Sequence, residues 1–116
     1  SFAWTTILQA GARLVFGSDW PVASQNPLLG VHNTLNRKPW AEGMPHHHLP
    51  LADTLIAYTR DAAYAEFQEH QKGQLKPGFL ADMVLLSEDI FNIPVEQMKD
   101  VHPQLTMLGG KITYEA

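Results

Sequence analysis

The sequence predicts an α/β protein in which helices flank one short strand and a β region follows. Residues 13–16 (RLVF) are a short, largely apolar run between two segments with a helical pattern, and residues 103–114 alternate around a Gly-Gly pair. A strand between two helices is one βα unit of a parallel sheet, and no partner strand for it can be identified. Because the chain also begins with Ser1 rather than methionine, we expect it to be a piece of a longer protein.

Three helices are predicted in the first half of the chain. Residues 4–10 (WTTILQA) carry apolar side chains at helical spacing, and Gly11 is a suitable residue to end that helix. Asn26 can cap the next helix, over residues 26–36, whose first turn contains a proline. The third helix is expected over residues 50–67.

The second half is predicted to be mainly β structure. Residues 76–79 (KPGF) fit a type II turn, and the apolar run MVLL within residues 81–86 predicts a buried strand. Residues 93–98 indicate a short helical turn or loop. The Gly-Gly pair within residues 103–114 is typical of a tight β-hairpin, and the proline-rich residues 37–50 predict a loop.

Composition excludes several classes of protein. The net charge is −4 and no basic stretch is present, which argues against nucleic-acid binding. No apolar run approaches the roughly 20 residues needed to span a bilayer, and no secretory signal pattern is visible, so we expect a cytoplasmic protein without a membrane partner. The absence of cysteine excludes disulfides and thiolate metal sites within this sequence.

An acid, Asp19, stands where the apolar run of residues 13–16 gives way to a turn, and Trp20 and Pro21 follow it. Aspartate is common in turns, where its side chain forms local hydrogen bonds. A carboxylate at the end of a strand can instead bind a metal ion or transfer a proton. The residues alone slightly favour the turn and leave both interpretations open.

Four segments resemble the C-terminal portion of metal-dependent amidohydrolases. They are GSDWPV (17–22), TRDAA (59–63), KGQLKPGFLADMVLLSED (72–89) and MLGGKITYE (107–115). The sequence is most similar to amidohydrolase family 3, including N-substituted formamide deformylase-like enzymes. This resemblance implies a fragment of a (β/α)8 TIM barrel with part of a small composite β-sandwich. Residues 1–72 would belong to the barrel, with residues 13–17 as its eighth strand, and residues 73–116 to the sandwich.

The resemblance also implies a reaction and a site. The full-length protein would be a hydrolase that uses metal-activated water to cleave amide or other non-peptide C–N bonds in small molecules. Asp19 would be a metal ligand and the catalytic general base or acid, because barrel enzymes place their chemistry at the C-terminal ends of strands. The cofactor would be a divalent metal, usually zinc, and its remaining ligands would lie upstream. The fragment alone is therefore expected to be inactive. The alternative is a non-catalytic scaffold or regulatory module.

Other polar and aromatic residues are expected to have structural roles. The three adjacent histidines would face solvent, although one of them, or Arg37, could line the substrate entrance. The histidines are His46, His47 and His48. Two tryptophans, Trp20 and Trp40, are expected to pack rather than to stack on substrate. Ser18 is expected to support its turn, Asp82 to hydrogen-bond at the 77–78 turn, and residues 88–89 to end a loop. Exposed apolar edges would favour self-association of the fragment or a homo-oligomer.

Overall fold

The structure is a computed structural model that describes residues 3–38, 42–43 and 48–116. Four α-helices come first, and a short strand, a 3₁₀ helix and a β-hairpin follow. The elements are α1 (Trp4–Gln9), α2 (Pro27–Asn36), α3 (Leu51–Tyr58), α4 (Arg60–Ala65), β1 (Met83–Leu86), the 3₁₀ helix (Val95–Asp100), β2 (Pro103–Leu108) and β3 (Lys111–Glu115).

The first two helices confirm the predictions made from their end residues. The Oδ1 atom of Asn26 accepts a hydrogen bond of 3.0 Å from the backbone N–H of Leu28, which satisfies a free donor in the first turn of α2. Gly11, just after α1, has φ of +89°, a conformation that glycine adopts without steric cost.

The predicted strand at residues 13–16 is not found, so that prediction is wrong for this structure. The backbone N–H of Phe16 instead donates to the carbonyl of Ala57 in α3 at 3.1 Å. The Phe16 ring lies between Trp4 and Tyr58, with ring centroids 5.3 and 5.4 Å away. A strand requires a partner strand, and no strand within the described residues pairs with this segment, which is held by a helix and by aromatic contacts instead.

The predicted helix over residues 50–67 is interrupted at Thr59, so the prediction of one continuous helix is also wrong. The Thr59 hydroxyl donates to the carbonyl of Leu55 at 2.6 Å, whereas its backbone N–H donates to Ile56 at 3.3 Å. The side chain therefore occupies the carbonyl that the helical N–H of Thr59 would use, an established way in which threonine disturbs a helix. A new helix, α4, begins at the next residue.

The three strands form one antiparallel sheet in the order β1-β2-β3. The predicted hairpin is confirmed: Gly109 and Gly110 have φ of 57° and 82°, and they connect β2 to β3. The type II turn is also confirmed, because Phe79 N–H donates to Lys76 C=O at 3.2 Å and Gly78 has φ of 89°.

The prediction that β1 is buried is wrong. Met83, Val84 and Leu85 are 41%, 50% and 61% exposed, and Leu86 is the residue of β1 that packs against the core. An unbroken apolar run indicates that both faces of a strand are covered, but the partner that would cover the outer residues is not among the described elements.

The core lies between α2 and the segment around the 3₁₀ helix. Its buried residues are Val31, Ile90, Met98 and Val101, and flanking side chains from α2, α3 and β1 pack against them. The core therefore draws on both sides of the division at residues 72 and 73 that the sequence suggests; that division remains a prediction.

The chain exposes more surface than a folded monomer of its size normally does. Its accessible surface is 8153 Å² for 13.0 kDa, against about 6,300 Å² expected from the usual scaling with mass. The radius of gyration is 15.2 Å, against about 13 Å for a compact domain of this length. The excess agrees with the exposed apolar residues of the sheet. Within the described residues, no helix has the length and apolar character required to cross a membrane.

Candidate active site around Asp19

Asp19 lies in the turn that follows the segment anchored by Phe16. Its backbone has φ of +59°, and the Trp20-Pro21 peptide bond that follows is cis. The Asp19 carbonyl accepts hydrogen bonds from the N–H groups of Val22 at 2.8 Å and Ala23 at 3.1 Å. The turn is therefore closed by the backbone of Asp19 and not by its side chain.

The Asp19 carboxylate is available for another role. The residue is exposed, and its side chain has no hydrogen bond or salt bridge to any residue that the structure describes. A positive φ is uncommon outside glycine, and aspartate and asparagine are the side chains that tolerate it best. Of the three residue types that suit this backbone, aspartate alone provides an anionic oxygen.

Two contacts anchor the chain ahead of Asp19. Phe16 is fixed to α3 as described above, and Arg13 is fixed to α4. The Nη1 atom of Arg13 lies 3.4 Å from Oδ1 of Asp61, and its guanidinium carbon lies 3.8 Å from the centroid of the Tyr64 ring. Asp61 is 7% exposed and also contacts Arg60 through Nε at 3.3 Å. These contacts fix the path of residues 13–16 in place of strand pairing.

Asp61 is a residue that the sequence predictions missed. The TRDAA segment contributed to the resemblance, but nothing in it showed that its acid would be buried beneath two arginines. The available signal was an aspartate on the otherwise small, apolar face of a predicted helix. Such an acid has to be paired when it is buried.

The described residues do not form a complete metal site. No group of three or more histidine, aspartate or glutamate side chains among them is placed to hold a metal ion. His48 is exposed, whereas His46 and His47 lie outside the described residues, as does Trp40. A catalytic metal needs several protein ligands, and the Asp19 carboxylate fits the chemistry of one of them.

The remaining predicted residues have varied outcomes. Trp20 is 65% exposed, so its predicted packing role is wrong within the described structure. Asp82 is structural, as expected, but it hydrogen-bonds at the hairpin rather than at the 77–78 turn: its Oδ1 accepts from Gly109 N–H at 2.7 Å. Asp89 accepts from Phe91 N–H at 3.1 Å in an exposed turn, as expected for a loop end. The guanidinium of Arg37 lies over the Trp4 ring.

Comparisons with known proteins agree on one family. A model of the amidohydrolase family matches residues 1–114. The chain is 40% identical over 98% of its length to Protein LONG AFTER FAR-RED 3 of Arabidopsis thaliana, of which it covers 20%. It is 32% identical over 99% of its length to the putative amidohydrolase YtcJ of Bacillus subtilis, of which it covers 23%.

A solved structure has the same fold. The crystal structure of an amidohydrolase from Thermotoga maritima superposes with a TM-score of 0.70 and 17% sequence identity, covering 97% of this chain and 25% of that one. The chain thus spans about a fifth to a quarter of the relatives that it matches. With a family model that matches nearly every residue, the chain belongs to the amidohydrolase family.

Proposed function

We propose that this chain is part of a longer metal-dependent hydrolase that cleaves amide or other non-peptide C–N bonds of small molecules. Membership of the amidohydrolase family supports the hydrolase class. The observation that carries the proposal is the position of Asp19: an exposed carboxylate without a partner among the described residues, held at φ of +59°. Unusual backbone conformations of this kind are concentrated at functional sites.

Asp19 is proposed to act as a metal ligand and to move a proton during hydrolysis. When bound, a divalent metal supplies Lewis acidity that lowers the pKa of a coordinated water to about 7. One carboxylate oxygen of Asp19 then takes the proton from the attacking water and delivers it to the nitrogen of the leaving amine. Because Asp19 is exposed, its carboxylate is accessible to both the attacking water and the leaving nitrogen.

Zinc is the proposed metal, since carboxylate oxygen is one of its usual ligands in catalytic sites. This chain contributes Asp19 and relies on other parts of the protein for the remaining ligands. The 116-residue chain alone is accordingly proposed to be inactive.

The decisive experiment is Asp19→Asn in the full-length protein, tested against a panel of N-acyl and N-formyl amines. We expect a loss of turnover of at least about a hundredfold, in line with removal of a general base, together with reduced zinc content measured by mass spectrometry. Asp100→Asn, which removes an exposed carboxylate elsewhere, is the matched control. Retained activity of the Asp19 variant would exclude Asp19 from the catalytic role.

A non-catalytic scaffold or regulatory protein is the second candidate. The relative that is 40% identical has a name, Protein LONG AFTER FAR-RED 3, that states no reaction, whereas the relative that is 32% identical is named a putative amidohydrolase. A full-length protein that has no metal ligands upstream of this chain and binds no zinc would favour this candidate over the hydrolase.

We also propose that the chain self-associates when it is isolated. The support is its large accessible surface and the exposed apolar side chains of the sheet, including Leu85, Leu108 and Ile112 at 61%, 64% and 50% exposure. Sedimentation velocity of the 116-residue chain should show dimers or larger species at high concentration. A folded monomer over the whole concentration range would contradict this proposal.

A further inference from the structure

An open cleft beside α4 is lined by residues that have no role in the proposed hydrolysis. Its volume is about 550 Å³, within the range of small-molecule sites, and its walls come from Arg13, from α4 and from the segment after α4. Asp19 is not among its lining residues. The cleft combines cationic side chains with two aromatic rings, Tyr64 and Phe79.

The positive charges in this cleft exceed the acidic groups that face them. Arg13 and Arg60 approach the same atom, Oδ1 of Asp61, at 3.4 and 3.3 Å, so two guanidinium groups share one carboxylate. Lys76 also lines the cleft and forms no salt bridge with any described residue. Glu69 is the acid that lines the described walls. The cleft is therefore locally cationic in a chain whose net charge is −4.

Aromatic contacts hold two of the cations in position. The guanidinium carbon of Arg13 lies 3.8 Å from the centroid of Tyr64, and the Lys76 ammonium lies 4.5 Å from the centroid of Phe79. The side chains of Arg13 and Arg60 are 53% and 49% exposed. Each guanidinium has five N–H donors, so donors remain after the contact with Asp61. The contacts with Asp61 and Tyr64 restrict these side chains, which reduces the entropy lost when a ligand binds.

We infer that this cleft binds a small oxyanion, a carboxylate or phosphate group, between Arg13, Arg60 and Lys76. Guanidinium groups match the paired oxygens of both anions, and an ammonium adds charge without a demand on geometry. The aromatic walls provide room for an organic group attached to the anion. The inference does not depend on the hydrolase proposal, because Asp19 does not line the cleft and the proposed hydrolysis needs no anion bound there.

The inference is tested by calorimetric titration of the intact protein, with inorganic phosphate and succinate as separate probes, after metal has been removed with EDTA and the EDTA has been dialysed away. We expect saturable binding of at least one probe, which identifies the preferred anion, and weaker binding as sodium chloride is added. Lys76→Gln should raise the dissociation constant about tenfold, which corresponds to about 1.4 kcal/mol.

Lys111→Gln is the matched control, because it removes the same charge from the exposed strand β3, outside the cleft. Arg60→Gln is a second cleft variant and should weaken binding at least as much as Lys76→Gln. The inference is overturned if neither probe binds saturably, or if Lys76→Gln and Lys111→Gln have equal effects.

Discussion

The carboxylate of Asp82 reaches the hairpin turn, where its Oδ1 accepts a hydrogen bond of 2.7 Å from the backbone N–H of Gly109. Beside this contact, the N–H of Gly110 donates to the carbonyl of Ala81 at 3.0 Å. The two residues that precede β1 therefore hold the turn between β2 and β3. This pair of contacts extends the antiparallel pairing of β1 and β2 to the end of the hairpin.

Replacing Asp82 with alanine should destabilise the chain by about 1 kcal/mol, the usual net contribution of a hydrogen bond, because this contact is exposed and water weakens the effect of the charge. Asp82→Asn keeps an oxygen acceptor and should cost less. Urea unfolding measures both variants. Equal stability of Asp82→Ala and the natural chain would contradict a structural role for this contact.

Gly73 should not tolerate a side chain. Its φ is +94°, and a Cβ atom there would lie 2.8 Å from Cβ of Ala63 and 3.0 Å from the carbonyl oxygen of Thr59. We expect Gly73→Ala to cost about 2–4 kcal/mol, from the left-handed backbone and the overlap together. Gly11→Ala is the matched control, since Gly11 has φ of +89° and no neighbour within 4 Å. If Gly73→Ala and Gly11→Ala lost equal stability in thermal unfolding, the steric overlap at Gly73 would contribute nothing.

Gly30 and Tyr58 should be coupled in a double-mutant cycle. A Cβ atom on Gly30 would overlap the hydroxyl oxygen of Tyr58, whereas the ring carbon bearing that hydroxyl would lie 3.1 Å away. Gly30→Ala alone should destabilise the chain, although alanine favours a helix by about 1 kcal/mol over glycine. In the Tyr58→Phe background the loss should shrink, and additive effects of the two substitutions would contradict the overlap.

Stability should fall at alkaline pH through Tyr58. Burial raises the pKa of the Tyr58 phenol above its ordinary value of 10.0, because desolvation disfavours the phenolate. The folded state then holds the proton more tightly than the unfolded state. This contribution is complete below pH 10 and is lost as pH rises through the raised folded pKa. Urea midpoints of the natural chain should therefore decline relative to Tyr58→Phe above pH 10, and parallel pH profiles would contradict this.

Substitutions at Asp19 should separate backbone preference from function. Because φ is +59° there, Asp19→Asn and Asp19→Gly should each leave stability nearly unchanged, whereas Asp19→Ala should cost about 1–2 kcal/mol. All three remove the carboxylate and should abolish the proposed activity alike. Thermal unfolding gives the stability order. If alanine proved as stable as asparagine, the left-handed conformation would not be what restricts this position.

The features that could be predicted from sequence depend on short stretches of chain. The cap at Asn26, the turn at residues 76–79 and the hairpin at Gly109 and Gly110 each follow from backbone preferences of two to four adjacent residues. Such preferences act before any tertiary contact forms, so they can be identified in a single sequence.

The features that could not be predicted depend on what lies beside a segment. Residues 13–16 and β1 have apolar patterns suited to buried strands, but pairing and covering require partners that sequence pattern does not reveal. The break at Thr59 was missed for a different reason, because threonine occurs within helices as well as at their ends, and the hydroxyl contact with Leu55 decided the outcome.

The candidate site was predictable only in part. The position of Asp19 after an apolar run suggested a role, and the family resemblance made that role specific. Its left-handed backbone and the turn closed by its carbonyl could not be inferred, because neither leaves a pattern in the neighbouring residues. The contact between Arg13 and Asp61 joins residues 48 positions apart, beyond the reach of local reasoning.

The core joins Val31 of α2 to Met98 and Val101, and we expect this arrangement to set an order of events during folding. The β2–β3 hairpin closes a loop of two residues, whereas the core must close one of more than 60 residues, at a greater cost in chain entropy. As the chain leaves the ribosome, α3 can pack against α2 first, but the core around Val31 stays incomplete until residues 98–101 emerge. A chain that ends at residue 94 should therefore remain uncooperative in thermal unfolding, with its first two helices formed only in part.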